Sequence, residues 1–225
     1  MYLDLGQRDF NARLKCHCCG MVYSPHDRED VRSHEKFCHE MSSGPKVSVQ
    51  RTHLQVVWTN EEDSSYIVDF KSNELNTHSI KWKAFRQVID SMFAELSSSE
   101  MDLHDENIHS IFFFIHNSRI QGCVMVERVH SSLVFIINQH SLDSHSTVPL
   151  NYSSSPQGYK LGVRYIWVNR SARRSKVASR LVDAARAKFL LTSVGKEEVV
   201  FSQPTSEGMR FASAYLAKDS IPVYK

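Results

Sequence analysis

No apolar run in this chain is longer than a strand. The two longest, residues 111–115 (IFFFI) and 133–137 (LVFII), fall far short of the roughly 20 residues that a membrane-spanning helix needs, so no span and no membrane partner are expected. The first ten residues, MYLDLGQRDF, have neither the positive start nor the apolar stretch of a signal peptide, which sets the expectation of a reducing compartment. Charge is almost balanced, at a formal net +2 over 225 residues, too little to argue for nucleic-acid binding by itself. Cysteine is scarce and unevenly placed. There are five, an odd number, and four of them fall between Cys16 and Cys38, a clustering that favours metal ligation over disulfides. Cys123 stands alone in an apolar pattern and reads as a buried, inert thiol.

What the chain does have begins near its start. In LKCHCCGMVYSPHDREDVRSHEKFCH, Cys16 and Cys19 have the C-x2-C spacing of a zinc knuckle. A short strand at 21–23, a Ser-Pro turn and a helix start at 27–31 follow. His34 and Cys38 are four apart and share a face of that helix. His39, next along, also offers a permissible spacing, so on spacing alone the fourth ligand is Cys38 or, as the alternative, His39. His17 and Cys18 are expected to point outward. A module this small and polar has too little core to fold without such a staple. One finger alone offers too few contacts for useful DNA specificity, so sequence-specific DNA binding is not expected. Residues 1–45 therefore form a first domain, SSGPKVSVQ (42–50) reads as a linker, and residues 46–225 form a second. An apolar content of 41% suits a packed core.

Along the second domain, residues 53–58 and 66–70 read as a hairpin and 80–96 as a helix. Residues 111–115 suit a strand covered on both faces, and 120–129 return beside it, with Gly122 allowing a close approach. Residues 133–137 give another strand, and 138–160 the longest unstructured stretch; its His140 and His145 lack the neighbours of a metal site. The organising stretch is 162–215. A buried strand (163–168) feeds a basic loop (169–176), then a helix in which Val177, Leu181, Ala185 and Phe189 recur every four residues, then a strand (199–201) and a short final helix. A basic loop opening a helix makes an anion site, because the first-turn amides lack carbonyl partners and sit at the positive end of the dipole.

The strings GVRYIWV, RRSKVASRLVD and FSQPTSEGMRFASAY, together with the finger, resemble the sister-chromatid cohesion N-acetyltransferases, a eukaryotic branch of the GCN5-related superfamily. The resemblance implies an α/β acetyltransferase fold, a mixed, twisted sheet with helices on both faces, behind a small ββα zinc finger holding Zn2+ through Cys16, Cys19, His34 and Cys38. It implies acetyl-CoA as co-substrate. The superfamily's pyrophosphate loop, Arg/Gln-x-x-Gly-x-Gly/Ala, corresponds here to Arg173-x-x-Lys176-x-Ala178, with Lys176 in place of glycine; it can offer its N–H to phosphate if its φ/ψ stays helical, and its ammonium adds charge. Arg174, Ser175, Val177 and Ser179 complete that loop and first turn.

The same resemblance implies backbone groups at Ile166, Trp167 and Val168 facing the thioester, and Thr205, Ser206 and Glu207 lining the cofactor. Lysine acetylation needs a deprotonated amine, and free lysine titrates near about 10.4, so a base is required. Gln203 stands where some relatives carry an acid, which leaves Asp183 as first candidate for base or lysine anchor, Ser202 as orienter and Tyr215 as general acid. Arg164 stands where some relatives carry serine. The implied function is acetyl transfer to lysines of the cohesin ATPase head, in the nucleus, with replication or chromatin proteins for recruitment. The alternatives are transfer to histones or another protein, or an acetyl-CoA-binding module without turnover.

Overall fold

The computed structural model describes residues 13–71, 82–96, 108–138, 148–149, 158–188 and 194–224. Its first module rests on a two-stranded hairpin, β1 (Leu14–Lys15) and β2 (Val22–Tyr23), paired antiparallel. Helix α1 (Arg28–Ser43) follows. Asp27 caps it, accepting from the amides of Glu29 and Asp30, whose own carboxylates place negative charge on the positive first turn. Gly44, at φ 77°, ends it.

Among the described residues the second module is a nine-stranded sheet. Its strands are β3 (Val56–Thr59), β4 (Tyr66–Phe70), β5 (Ile108–His116), β6 (Arg119–His130), β7 (Val134–Asn138), β8 (Val148–Pro149), β9 (Tyr159–Val168), β10 (Val199–Ser202) and β11 (Ser220–Tyr224). They lie side by side as β3-β4-β5-β6-β9-β10-β11-β7-β8. Only β9 with β10 and β10 with β11 are parallel; the other pairs are antiparallel. Helix α2 (Lys83–Leu96) covers one face; α3 (Val177–Lys188) and α4 (Ser206–Leu216) cover the other.

The unbroken apolar run of β5 follows from this layering. Phe112 and Phe114 enter the core beneath α3 and α4, while Ile111, Phe113 and Ile115 enter the one beneath α2, so no position is left for a polar residue. Val177, Leu181, Val182, Ala184 and Ala185 are the buried face of α3. They come down on β6 at Gly122, where a Cβ would stand 2.7 Å from Val177 Cγ1 and 3.0 Å from Leu181 Cδ1. Cys123 is fully buried in the same strand, and desolvation raises its thiol pKa.

Several boundaries differ from the sequence reading. Residues Arg51–His53 form a 3-10 turn, and the strand starts at Val56. The stretch read as a linker is packed instead: Val47 is buried, its amide donates to Ser118 O at 2.8 Å, and Ile120 N donates to Pro45 O at 3.0 Å. Within 138–160, Val148–Pro149 pairs with β7, and β9 begins at Tyr159. Lys160 hid that start. A buried lysine is rare, but its Nζ meets Glu198 Oε2 at 2.6 Å. Ile80, Phe189, His140 and His145 lie outside the described residues.

Candidate active site and metal centre

The cleft originates where β10 stops following β9. The two pair as Val199 with Leu161, Val200 with Gly162 and Phe201 with Val163; β10 then ends at Ser202, while β9 continues to Val168 against β6 alone. Arg164 is the extra residue at that point, lying between Val163, opposite Val126, and Tyr165, opposite Met125. A bulge bends and twists its strand, and here it falls where the parallel pair opens. In an antiparallel ladder alternate residues turn both polar groups away from the partner, so beyond the bulge β9 directs N–H and C=O groups into the gap. The resulting cavity, about 170 Å3, is lined by Arg164, Ile166 and Trp167 on one side and by Ser202, Gln203 and Thr205 on the other.

At the carboxyl end of β9 the chain enters the basic loop. Arg173 is anchored by its Nε donating to Val168 O at 3.2 Å. Arg174, Ser175 and Lys176 are exposed. The first bond inside α3 runs from Arg180 N to Lys176 O at 3.0 Å, so the amides of Val177, Ala178 and Ser179 precede the first donor and stay available at the positive helix end. Lys176 does not keep right-handed helical angles. Its φ is 60° and that of Arg174 is 67°, so Lys176 takes the left-handed conformation that suits the glycine of the resembled motif. The tight entry to α3 demands that hand, and the side chain is carried on it.

The proposed catalytic residues fall into two groups. Ser202 and Gln203 line the cleft, whereas Asp183 and Tyr215 do not. Tyr215 donates to Asp183 Oδ1 at 2.6 Å, and Arg186 NH1 reaches the same Oδ1 at 2.8 Å and the phenol oxygen at 3.2 Å. Burial, reinforced by Asp183, raises the Tyr215 pKa. Glu207 is exposed and paired with Arg210 at 3.0 Å; Ser206 is exposed beside it. Thr205 caps α4, accepting from Gly208 N at 3.2 Å. Among the described residues no carboxylate lines the cavity.

A third group escaped the sequence reading. Glu127, buried on β6, accepts from Arg164 NH1 at 2.9 Å and from the Tyr224 hydroxyl at 2.6 Å. Burial and the Glu127 charge raise the Tyr224 pKa. These residues sit on three strands, so no local spacing joins them. The available signal was a lone acid inside the apolar string CVMVERV (123–129), which a packed sheet admits only when paired.

In the first module Cys16, Cys19, His34 and Cys38 converge, their donor atoms all within 4.8 Å of one another. Cys16 Sγ and Cys38 Sγ are 3.8 Å apart, and a tetrahedron with zinc–sulfur bonds of about 2.3 Å puts sulfurs about 3.8 Å apart. His34 Nε2 is buried with no hydrogen-bond partner, as an atom reserved for a metal is. Tyr23 stacks on the His34 ring at 3.9 Å and 3°. The backbone amide of Cys19, with His34 and the amide of Cys18, holds the Cys16 thiol down at about 6. His39 is exposed and stands outside the cluster. The four residues fit zinc.

A parallel strand pair parting over a bulge, with a basic turn and a helix start at the same strand ends, defines the GCN5-related acetyltransferase fold. Residues 157–224 match the family described as "ESCO1/2 acetyl-transferase", and residues 1–40 match the "zinc-finger of acetyl-transferase ESCO". Both matches are to domains of the ESCO N-acetyltransferases, the family that the sequence resembles. The chain is 27% identical to N-acetyltransferase eso1 of Schizosaccharomyces pombe over 94% of this chain and 24% of that protein. It is 28% identical to N-acetyltransferase ESCO2 of Homo sapiens over all of this chain and 37% of that one. The chain thus spans between about a quarter and two fifths of these relatives' lengths. Among solved structures, the xEco2 acetyltransferase domain bound to a K105-CoA conjugate superposes with a TM-score of 0.59 at 25% identity, covering 76% of this chain and 98% of that one.

Proposed function

We propose that the chain transfers the acetyl group of acetyl-CoA to lysine side chains of the cohesin ATPase head, acting in the nucleus and brought there by replication or chromatin proteins. One observation carries the acetyl-transfer reading: the gap between β9 and β10 opens at the strand ends from which the basic loop and the free amides of α3 also start. The pantetheine arm fits that gap, and the pyrophosphate fits the turn formed by Arg173, Arg174 and the amides of Val177–Ser179. The xEco2 domain, whose structure holds a lysine–CoA conjugate, supports both the co-substrate and a lysine acceptor.

Acetyl-CoA supplies an activated acyl carbon; in the transfer a nitrogen–carbon bond forms as the carbon–sulfur bond breaks. The backbone amides that β9 turns into the gap stabilise charge developing on the thioester oxygen. Ser202 and Gln203 hold the acceptor amine at the cleft wall opposite Arg164. With no carboxylate at that wall among the described residues, the amine's proton leaves through water, and thiolate departure is completed by a proton from the same solvent. Asp183 keeps Tyr215 fixed through their hydrogen bond rather than touching the amine.

The test is transfer of labelled acetyl-CoA to a purified cohesin ATPase head by wild type, by Arg173→Glu/Arg174→Glu and by Asp183→Asn. Binding and transfer should both vanish in the loop double variant. Asp183→Asn should retain binding and lose rate only modestly; a loss of 10²-fold or more would make Asp183 the base. Binding without transfer to the head would overturn the substrate assignment and leave an acetyl-CoA-binding module or a different acceptor protein.

A further inference from the structure

The turn that opens α3 is fastened to the finger. Asn169, 1% exposed, sits between three elements and uses all its polar groups. Its amide donates to Gln121 O at 2.9 Å, its carbonyl accepts from Ala172 N at 2.8 Å, its Oδ1 accepts from Ser171 N at 3.4 Å, and its Nδ2 donates to Ser42 O at 3.0 Å. Ser171 Oγ donates to the same Ser42 carbonyl at 2.6 Å. The next two carbonyls, of the last helical residue and of the glycine that ends the helix, are taken as well: Ser43 O accepts from Gln121 Nε2 at 2.8 Å, and Gly44 O from Arg119 Nη1 at 2.7 Å. On the other side of the finger, Arg170 NH1 donates to the carbonyl of His17, inside the Cys16–Cys19 knuckle.

The last carbonyls of a helix have no partner within it, and they carry the negative end of its dipole. Helix α1 has no basic residue in its own last turn. Its closing carbonyls are capped by donors from β6 and from the loop that leads into the anion site. This helix also carries His34 and Cys38, and a finger of this size is ordered by its metal. Removing the metal therefore withdraws the acceptors that hold Asn169, Ser171 and Arg170 in place.

We infer that Asn169, Ser171 and Arg170 are positioning residues through which the metal-loaded finger holds the phosphate-binding turn in shape, so that acetyl-CoA and zinc bind cooperatively. This rests on the acetyl-CoA reading above. It also assigns the finger a role inside the enzyme, distinct from docking to a partner. Linkage makes the effect reciprocal: if zinc tightens acetyl-CoA, acetyl-CoA tightens zinc by the same factor.

Three measurements on the full chain test it. Calorimetric titration of acetyl-CoA into the zinc-loaded and chelator-stripped protein should show a loss of affinity of about tenfold on stripping, within the usual span of coupling between sites. Asn169→Ala, and Ser171→Ala as a milder surface variant, should weaken acetyl-CoA while zinc is bound, and stripping should add little further loss. In the second measurement, saturating acetyl-CoA should slow zinc transfer to a chromogenic chelator in wild type but not in Asn169→Ala. In the third, hydrogen exchange of amides 170–179 should accelerate when zinc is removed, a readout that needs no acetyl-CoA. Equal acetyl-CoA affinity with and without zinc, and a zinc-release rate indifferent to acetyl-CoA, overturn the coupling. If the wild type binds no acetyl-CoA in either state, the acetyltransferase reading fails, and unchanged exchange of the loop amides then overturns the positioning role as well.

Discussion

The hydroxyl of Tyr224 donates to Oε1 of Glu127 at 2.6 Å, joining the last strand to β6 beneath the sheet. It reaches that far because residue 162 is glycine: a Cβ there would stand 2.9 Å from the Tyr224 hydroxyl and 2.5 Å from Val129 Cγ2. The other oxygen of Glu127 takes Arg164, the bulged residue at the opening of the cleft. The carboxylate side chain is 9% exposed and the guanidinium 24%. Breaking a buried pair by removing one partner is strongly destabilising because it strands the other charge, so Glu127→Gln should lower unfolding stability by about 3–5 kcal/mol. Tyr224→Phe removes one hydrogen bond to a charged group and should lower it by about 1.5–3 kcal/mol. Urea unfolding of both variants checks this; a Glu127→Gln loss below that of Tyr224→Phe would mean that Arg164 does not depend on the carboxylate.

The same tyrosine gives a pH dependence. Burial raises the Tyr224 phenol pKa, with Glu127 adding to it, and burial raises that of Tyr215, with Asp183 adding to it. In the unfolded chain a tyrosine titrates near about 10. Their folded values lie above that, so the stability they contribute is fully present below about pH 10 and declines as pH rises toward the folded value. The decline should be about 1.4 kcal/mol per pH unit for each tyrosine. Unfolding curves at stepped pH above neutrality should therefore bend downward above about pH 10, and less so in Tyr224→Phe. A profile identical in wild type, Tyr224→Phe and Tyr215→Phe would contradict the burial of these hydroxyls.

At the metal centre the outcome divides two adjacent residues. Cys38 brings its sulfur to 3.8 Å from that of Cys16, and His39 is exposed outside the cluster. His39→Ala should retain one bound zinc per chain and unchanged finger stability, whereas Cys38→Ala should lose zinc to a competing chelator at least tenfold more readily. Cys38→His should recover most of the affinity, since imidazole and thiolate both suit a tetrahedral zinc site. Metal content measured after dialysis against chelator decides the assignment.

The legible parts of this chain were those whose causes are local. The strand run of β5, the periodicity of α3 and the C-x2-C knuckle each declare themselves within a short window, and the first two were placed to within a few residues. What could not be read depends on pairings between distant strands. Lys160 looked like loop until Glu198 stood beside it, and Glu127 had no visible reason until Arg164 and Tyr224 closed around it. The residues after the finger helix looked like a linker because Gly44 and Pro45 break helices. Here they do break one, and the freed backbone is immediately paired with β6. Asp183 and Tyr215 were assigned to the site by likeness of sequence. The structure pairs them with each other, outside the cleft wall.

Lys176 poses the sharpest test of the anion site, because its backbone and its side chain pull in opposite directions. At φ 60° it occupies the left-handed region, which disfavours a residue with a Cβ by about 1–2 kcal/mol. Glycine is free of that penalty but loses more chain entropy on folding, roughly 0.5–1 kcal/mol. Lys176→Gly should therefore raise unfolding stability modestly, by about 0.5–1 kcal/mol. It also removes an exposed ammonium beside the free amides of α3, so acetyl-CoA should bind more weakly at low salt. Salt screens exposed charges over about 10 Å at 0.1 M, and the difference from wild type should fade as ionic strength rises. Lys176→Ala separates the two effects, since it drops the charge and keeps the strain: it should show the same salt-dependent loss of binding without the gain in stability. If Lys176→Gly instead binds acetyl-CoA better than wild type at every salt concentration, the lysine is a hindrance in the turn and the phosphate contacts come from the backbone and from Arg173 and Arg174 alone.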